Sequence, residues 1–310
     1  MMQTKPYKIG TRGGALALIQ AEDVRKKLML AHDLPESAFE IVILSTKADR
    51  MTNQPLSEIG GKGLFTLELE EKLIDGSLDF AVHCVKDMAT KLPEGLYLSA
   101  YLEREDPRDV LIGGAANTIS ELPENALIGT SSLRRQALIR RIRPDLRVTL
   151  FRGLVGTRLQ KLADGEVDAT LLALAGLKRL KIEDKATEIL EIDTFLPAPG
   201  QGAICIESKI GNSEIDELIA PLNDPTTETC ILCERAFLRA LDGSCRTPIA
   251  GHAQLVDQKI HFSGKILNDD GSLVYETQVT GNANDADTIG KDEGETLRAQ
   301  AGDNFFKDWT

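Results

Sequence analysis

The segment Asp75-Gly-Ser-Leu-Asp79 followed by Phe-Ala-Val recurs as Asp164-Gly-Glu-Val-Asp168 followed by Ala-Thr-Leu, each time after a helix-like stretch and before an apolar one. A repeated helix-turn-strand unit restricts the fold more than any single motif, because each copy needs its own layer of neighbours to bury its apolar side. It predicts two α/β lobes of similar make, facing one another across a cleft. Other strand candidates agree. Tyr7 to Arg12 ends at the turn Gly13-Gly14 and leads into the helical run ALALIQAEDVRKKLML, and Phe39 to Thr46 is a continuous apolar run of the kind buried on both faces of a sheet. Phe80 to Cys84 and Leu127 to Thr130 are shorter runs of the same type.

In open α/β sheets, ligands gather beyond the carboxyl ends of the strands. Here those ends are rich in charge. The first lobe offers Arg12, Lys62, Lys86 and Asp87, and the second offers Thr130 to Arg135, Arg152, Arg158 and Arg179. Between Leu127 and Arg158 lie Arg134, Arg135, Arg140, Arg141, Arg143, Arg147, Arg152 and Arg158 against the single acid Asp145, in a chain of net charge -12. Guanidinium groups grip carboxylates and phosphates two bonds at a time, so the excess points to a small polyanion.

Ser131 or Ser132 reads as the N-cap of a helix carrying Leu133, Ala137, Leu138 and Ile142, with Thr130, Ser131 and Ser132 presenting hydroxyls and free N–H groups to an anion. Arg134 and Arg135 in the first turn oppose the helix dipole, a cost that a bound anion offsets. Arg140, Arg141, Arg143 and Arg147 read as a solvated face instead. Arg12 fits a surface role equally well, and the Lys86-Asp87 pair is by itself either a turn or a catalytic site.

A length of 310 residues allows two or three domains. The expected boundaries are 1–102 plus 201–221 for the first lobe, 103–200 for the second and 222–310 for a third unit. Glu103 to Asp109, EREDPRD, suits one crossing between lobes, and LPAPGQGAICIE, with Gln201 at its turn, suits another. The third unit opens with the helix holding Cys230 and Cys233, turns at LDGSCRTP, and continues as alternating strands.

A pI near 5.0 argues against nucleic acid as a partner, and no apolar run has the length of a signal or membrane span, so the chain reads as cytoplasmic. The odd set Cys84, Cys205, Cys230, Cys233 and Cys245 argues against a disulfide framework. Cys230 and Cys233 share one helical face and read as core packing; the scattered histidines suggest no metal site. Cys245, on a Gly-Ser turn, is open to either packing or chemistry. The polar stretch around Gly60-Gly61-Lys62-Gly63 lacks P-loop spacing and reads as a flap beside the site.

TRGGALALIQA, GGKGLFTLELE, AVHCVKD, EREDPRD, GTSSLRRQA, FRGLVGTRL, ALAGLKRL, PAPGQGA and LDGSCRTPIAG, in this order, give the chain a resemblance to the porphobilinogen deaminase (hydroxymethylbilane synthase) family. The resemblance implies two periplasmic-binding-protein-like α/β lobes with a third small α+β domain, in a monomer. It implies one covalent dipyrromethane cofactor per chain, joined by a thioether to Cys245. Onto that primer four porphobilinogen molecules condense head to tail with loss of ammonia, and hydrolysis frees the linear tetrapyrrole.

Asp87 matches the family's catalytic aspartate. Lys86, Ser132, Arg134 and Arg135 match cofactor contacts, to which the helix-start reading adds Thr130 and Ser131. Arg12, Arg152, Arg158, Arg179 and Gln201 match positions near the incoming substrate, and Lys62 is grouped with them. Gly14, Cys84, Ala48 and Leu154 depart from the family pattern, where serine, serine, glycine and asparagine are usual; Gly14 implies weaker substrate binding. The competing readings are a non-enzymatic anion receptor and a C-x-x-C redox or zinc protein.

Overall fold

A computed structural model of the protein describes residues 5–45, 66–114, 116–244 and 247–309. Its elements run β1 (Tyr7–Arg12), α1 (Ala15–His32), β2 (Phe39–Leu44), α2 (Leu67–Ile74), β3 (Phe80–Cys84), β4 (Leu96–Tyr101) and β5 (Asp109–Gly113). They continue with β6 (Leu127–Gly129), α3 (Leu133–Ile142), β7 (Arg147–Thr149), α4 (Val155–Ala163), β8 (Ala169–Ala173), α5 (Leu174–Leu180) and β9 (Glu188–Ile189). The last stretch holds β10 (Ile204–Lys209), α6 (Ser213–Ile219), α7 (Pro225–Ala240), β11 (Ile249–Val256), β12 (Lys259–Leu267), β13 (Val274–Asn282) and α8 (Ala286–Ala301).

The chain divides into two compact units. Of the described residues, one unit comprises those up to Glu105 together with Ala203–Glu228, and the other holds those of Asp106–Gly202 and those from Thr229 onward. The breaks between them fall at Glu105/Asp106, Gly202/Ala203 and Glu228/Thr229. The first unit is built on a five-stranded sheet of order β2-β1-β3-β10-β4, with β10 antiparallel to both its neighbours. Strand alternation sends Ile9, Phe80, Val82, Ile204 and Ile206 to a core shared with α1 and α6. The opposite face carries Leu78, Ala81 and Leu96 against Leu69 and Leu73 of α2.

The second unit holds a sheet of the same plan, β7-β6-β8-β5-β9, in which β5 is the antiparallel strand beside β8. Leu111, Ile128, Ala169 and Leu171 pack with Ala137, Leu138 and Ile139 of α3. It also contains the three-stranded antiparallel sheet β11-β12-β13, whose inner face closes on α7 and α8 through Cys230, Cys233, Phe237, Ile260, Phe262 and Leu297. The C-x-x-C pair is therefore core, and burial drives the Cys233 thiol pKa far upward.

The repeated Asp-Gly-x-x-Asp is the same structure twice. Gly76 and Gly165 both turn at φ +76. The closing acids then tie strand to strand. Asp79 accepts from Lys8 N at 2.7 Å and Asp168 from Leu127 N at 2.6 Å, while each donates its own N–H back to the same residue's carbonyl. The central strands also share a need for glycine, since a Cβ at Gly10 would lie 2.5 Å from Leu78 and one at Gly129 2.6 Å from the Phe151 ring.

Candidate active site

In the first unit, β1 and β3 are parallel neighbours, so their carboxyl ends emerge side by side. Arg12 closes β1, and a single 3₁₀ turn, Val85–Asp87, follows β3, anchored by Val85 N donating to Ala203 O. Arg12 Nη1 consequently stands 3.7 Å from Asp87 Oδ2, with both side chains half-buried. Lys86 is half-buried on the same turn. Cys84, one residue before the turn, has its sulfur 3.1 Å from Gln20 Nε2 of α1. Gly14 is the N-cap of α1 and supplies no side-chain acceptor to it. Lys62, Ala48, the glycine-rich flap and Cys245 lie outside the described residues.

In the second unit, Ser132 caps α3, its hydroxyl accepting from Arg135 N, while the Ser131 hydroxyl donates to Phe151 O and the Thr130 hydroxyl accepts from Ser132 N. Arg134 and Arg135, expected to be free for an anion, are both buried and gather around one carboxylate. Asp109 Oδ2 lies 2.7 Å from Arg134 Nη2, and Asp109 Oδ1 accepts from Arg135 Nε at 3.0 Å and Nη2 at 2.7 Å. Burial alone would raise the Asp109 pKa, but the two guanidiniums override it and hold the carboxyl down at about 2. Gln201 Nε2 donates to the same Oδ1 at 3.0 Å and to Pro107 O at 2.7 Å.

Asp109 is the residue that sequence reasoning missed. It sat within the charged crossing segment, where its role at the head of a buried strand left no periodic signal.

Arg134 and Arg135 spend further donors on Leu196 O and Leu171 O, yet Arg134 Nε is buried with no hydrogen-bond partner among the described residues. Arg179 donates to Gly202 O at 2.7 Å, so Arg134, Arg179 and Gln201 all hold the segment from Leu196 to Gly202. Arg158 is different. Its Nε donates to Gly153 O, but it makes no ion pair among the described residues. Burial, followed by the repulsion of Arg135 and Arg152, presses its pKa down to about 10. Arg152 is lowered by burial as well. Among the described residues Arg134 and Arg135 share the Asp109 carboxylate, while the Arg158 charge is disfavoured by burial and by the repulsion of Arg135 and Arg152, a cost that a bound polyanion relieves.

The arginines expected on a solvated face also have employment. Arg143 bonds Ile119 O, Leu122 O and Asp145, Arg147 bonds Asn125 O, and Arg140 bonds Asp269 O. Arg141 is exposed. Among the described residues there is no cluster of His, Cys, Asp or Glu that could hold a metal, and no helix long and apolar enough to cross a membrane.

Residues 7–217 match the family model for the porphobilinogen deaminase dipyromethane cofactor binding domain, and residues 228–299 match the model for the porphobilinogen deaminase C-terminal domain. Porphobilinogen deaminase of Nitrobacter hamburgensis is 51% identical over 298 residues, covering 96% of this chain and 94% of that relative. Among solved structures, the methionine binding protein MetQ is similar at a TM-score of 0.45 with 10% identity, covering 70% of this chain and 89% of that one. The periplasmic aliphatic sulphonate binding protein SsuA from Escherichia coli is similar at a TM-score of 0.42 with 15% identity, covering 77% of this chain and 71% of that one. With both family models matched in order and a relative half identical along nearly its whole length, the chain belongs to the porphobilinogen deaminase family.

Proposed function

We propose that Asp87 is the catalytic carboxylate of this family's reaction in the chain, with the arginines of the second unit holding the carboxylates of the oligopyrrole. The enzyme condenses four porphobilinogen molecules into hydroxymethylbilane on a dipyrromethane primer. That primer, when bound through Cys245, supplies the pyrrole carbon to which the first unit is added. The residues suit a group bearing acetate and propionate. Arg158 and Arg152 carry charge that burial disfavours, and Arg134 has a buried Nε to spare. Ser132, Thr130, Ser131 and Lys86 complete the cofactor contacts, and Arg12, Lys62, Arg179 and Gln201 those of the substrate.

Asp87 has the chemistry the step requires. A carboxylate accepts pyrrole N–H hydrogen bonds, stabilises the cation that develops as ammonia departs, and takes up the proton released when aromaticity returns. Arg12, with its guanidinium 3.7 Å from that carboxylate, adds a cation beside it that can meet a substrate acid group.

The observation that carries this reading is Arg158, half-buried, repelled by Arg135 and Arg152, and without an ion-pair partner among the described residues. The expected domains are the two lobes and a third unit from residue 222. The protein is a cytoplasmic monomer that binds no nucleic acid, in keeping with its low pI.

Incubation with porphobilinogen should release ammonia and yield uroporphyrin after oxidation. Intact mass should show a covalent adduct that Cys245→Ala lacks. A protein that binds porphobilinogen without consuming it, or that carries no adduct, would instead be the anion receptor.

A further inference from the structure

We propose that the turn Asn268–Leu273 is a positioning element that fixes the third-domain sheet against α3, with Gly271 as its point of contact. The inference rests on the reading of α3 as the anion-binding helix. The turn joins β12 to β13, and the residues flanking it pack outside their own three-stranded sheet. Leu267 is fully buried in the core of the second lobe with Leu111, Ile128, Ala137 and Leu138, and Val274 packs against the same cluster.

Gly271 then lies directly on the helix backbone. A Cβ there would come within 2.2 Å of Ala137 O and 3.0 Å of Arg141 N, both main-chain atoms that no rotamer change can move aside. Gln136 Nε2 and Arg140 Nη1 reach over from α3 to the carbonyl of Asp269, at 3.3 and 3.2 Å.

The turn is stiff enough to act as a stop. Asn268 Oδ1 accepts from Leu273 N at 2.9 Å, Asn268 Nδ2 donates to Ser272 Oγ at 3.0 Å, and Asp270 Oδ1 accepts from Ser272 N at 2.8 Å. The helix it presses on begins with Ser132, Arg134 and Arg135, one turn away. A helix moves as a rigid body, so a shift imposed at Ala137 displaces the guanidiniums at its start relative to a ligand tethered in the third domain. Gly271 is therefore a positioning residue for the condensation, acting through α3.

The test pairs Gly271→Ala with Gly165→Ala. Gly165 has φ +76 against +72 for Gly271, but nothing lies within 4 Å of an added Cβ. Both variants carry the strain of a left-handed alanine, and only one lifts the turn. Gly271→Ala should keep its covalent adduct by intact mass while kcat/KM for porphobilinogen falls about tenfold or more, mainly through KM. Gly165→Ala should stay within about twofold.

Hydrogen exchange at Ala137 to Arg141 should quicken in the first variant alone. The double variant Gln136→Ala with Arg140→Ala loosens the contact without a clash; it should lose activity in the same direction, and Arg140→Lys should restore it.

Wild-type kinetics in Gly271→Ala, or an equal loss in Gly165→Ala, would overturn the proposal. If Gly271→Ala does not fold, wild-type kinetics in the double variant overturn it instead. A wild-type protein that never consumes porphobilinogen would sink the functional reading, whereas unchanged exchange in α3 would sink the docking role alone.

Discussion

Asp109 and Arg135 meet at 2.7 Å in a part of the second unit closed to solvent, and Arg134 completes the pairing from the other carboxylate oxygen. Removing the charge leaves two guanidiniums buried without compensation. Asp109→Asn should destabilise the protein by about 3–5 kcal/mol, read as a drop in the denaturant midpoint at unchanged slope. The pH dependence has a definite sign. A carboxyl held at about 2 in the folded state, below its unfolded value, contributes fully above pH ~4, and the contribution drains away as pH falls towards 2. Acid unfolding of Asp109→Asn should lack that component.

Arg158 behaves in the opposite way, because its charge is disfavoured where it stands. Arg158→Met should raise the melting temperature of the ligand-free protein or leave it unchanged, while KM for porphobilinogen rises about tenfold or more. A large stability loss with unaltered KM would make the arginine a structural strut.

Asp87 faces Arg12 at 3.7 Å on a half-buried turn, a pair of little weight for folding. Asp87→Asn should melt within about 1 kcal/mol of the parent and still lose roughly a hundredfold or more of its turnover. Single-turnover measurement of ammonia release separates that outcome from slow product escape. Full activity in the variant would remove Asp87 from the chemistry.

Cys84 is half-buried, its Sγ 3.1 Å from Gln20 Nε2, one residue before the turn that carries Lys86 and Asp87. Mild peroxide should inactivate the enzyme and Cys84→Ser should protect it, with thiol reductant restoring the parent if oxidation stops at the sulfenic acid. Equal inactivation of both proteins would place the damage elsewhere.

The α/β character, the repeated turn and the helix start at Ser132 were legible because each depends on neighbours in sequence. Hydrophobic runs mark β1, β2 and β3, and an Asp-Gly pair marks a positive-φ turn whichever lobe it serves. The fate of individual arginines was not legible. Arg143 and Arg147 bond loop carbonyls, Arg140 reaches a distant hairpin, and Arg134 and Arg135 share an acid contributed by another strand. Local spacing carries no record of such long-range partners. Composition revealed the excess of positive charge; only packing shows that Asp109 neutralises one part of it and that Arg158 makes no ion pair among the described residues.

The place of β10 between β3 and β4 has a consequence for biosynthesis. The lobe that begins at the N-terminus stays a broken sheet, with β3 and β4 lacking the strand that bridges them, until Lys209 has emerged from the ribosome. By then every strand of the neighbouring α/β sheet, ending at Ile189, has already been synthesised. The sheet whose first strands are translated earliest is therefore the one that must wait, while the later-starting sheet already has all five of its strands, although its core still lacks Leu267.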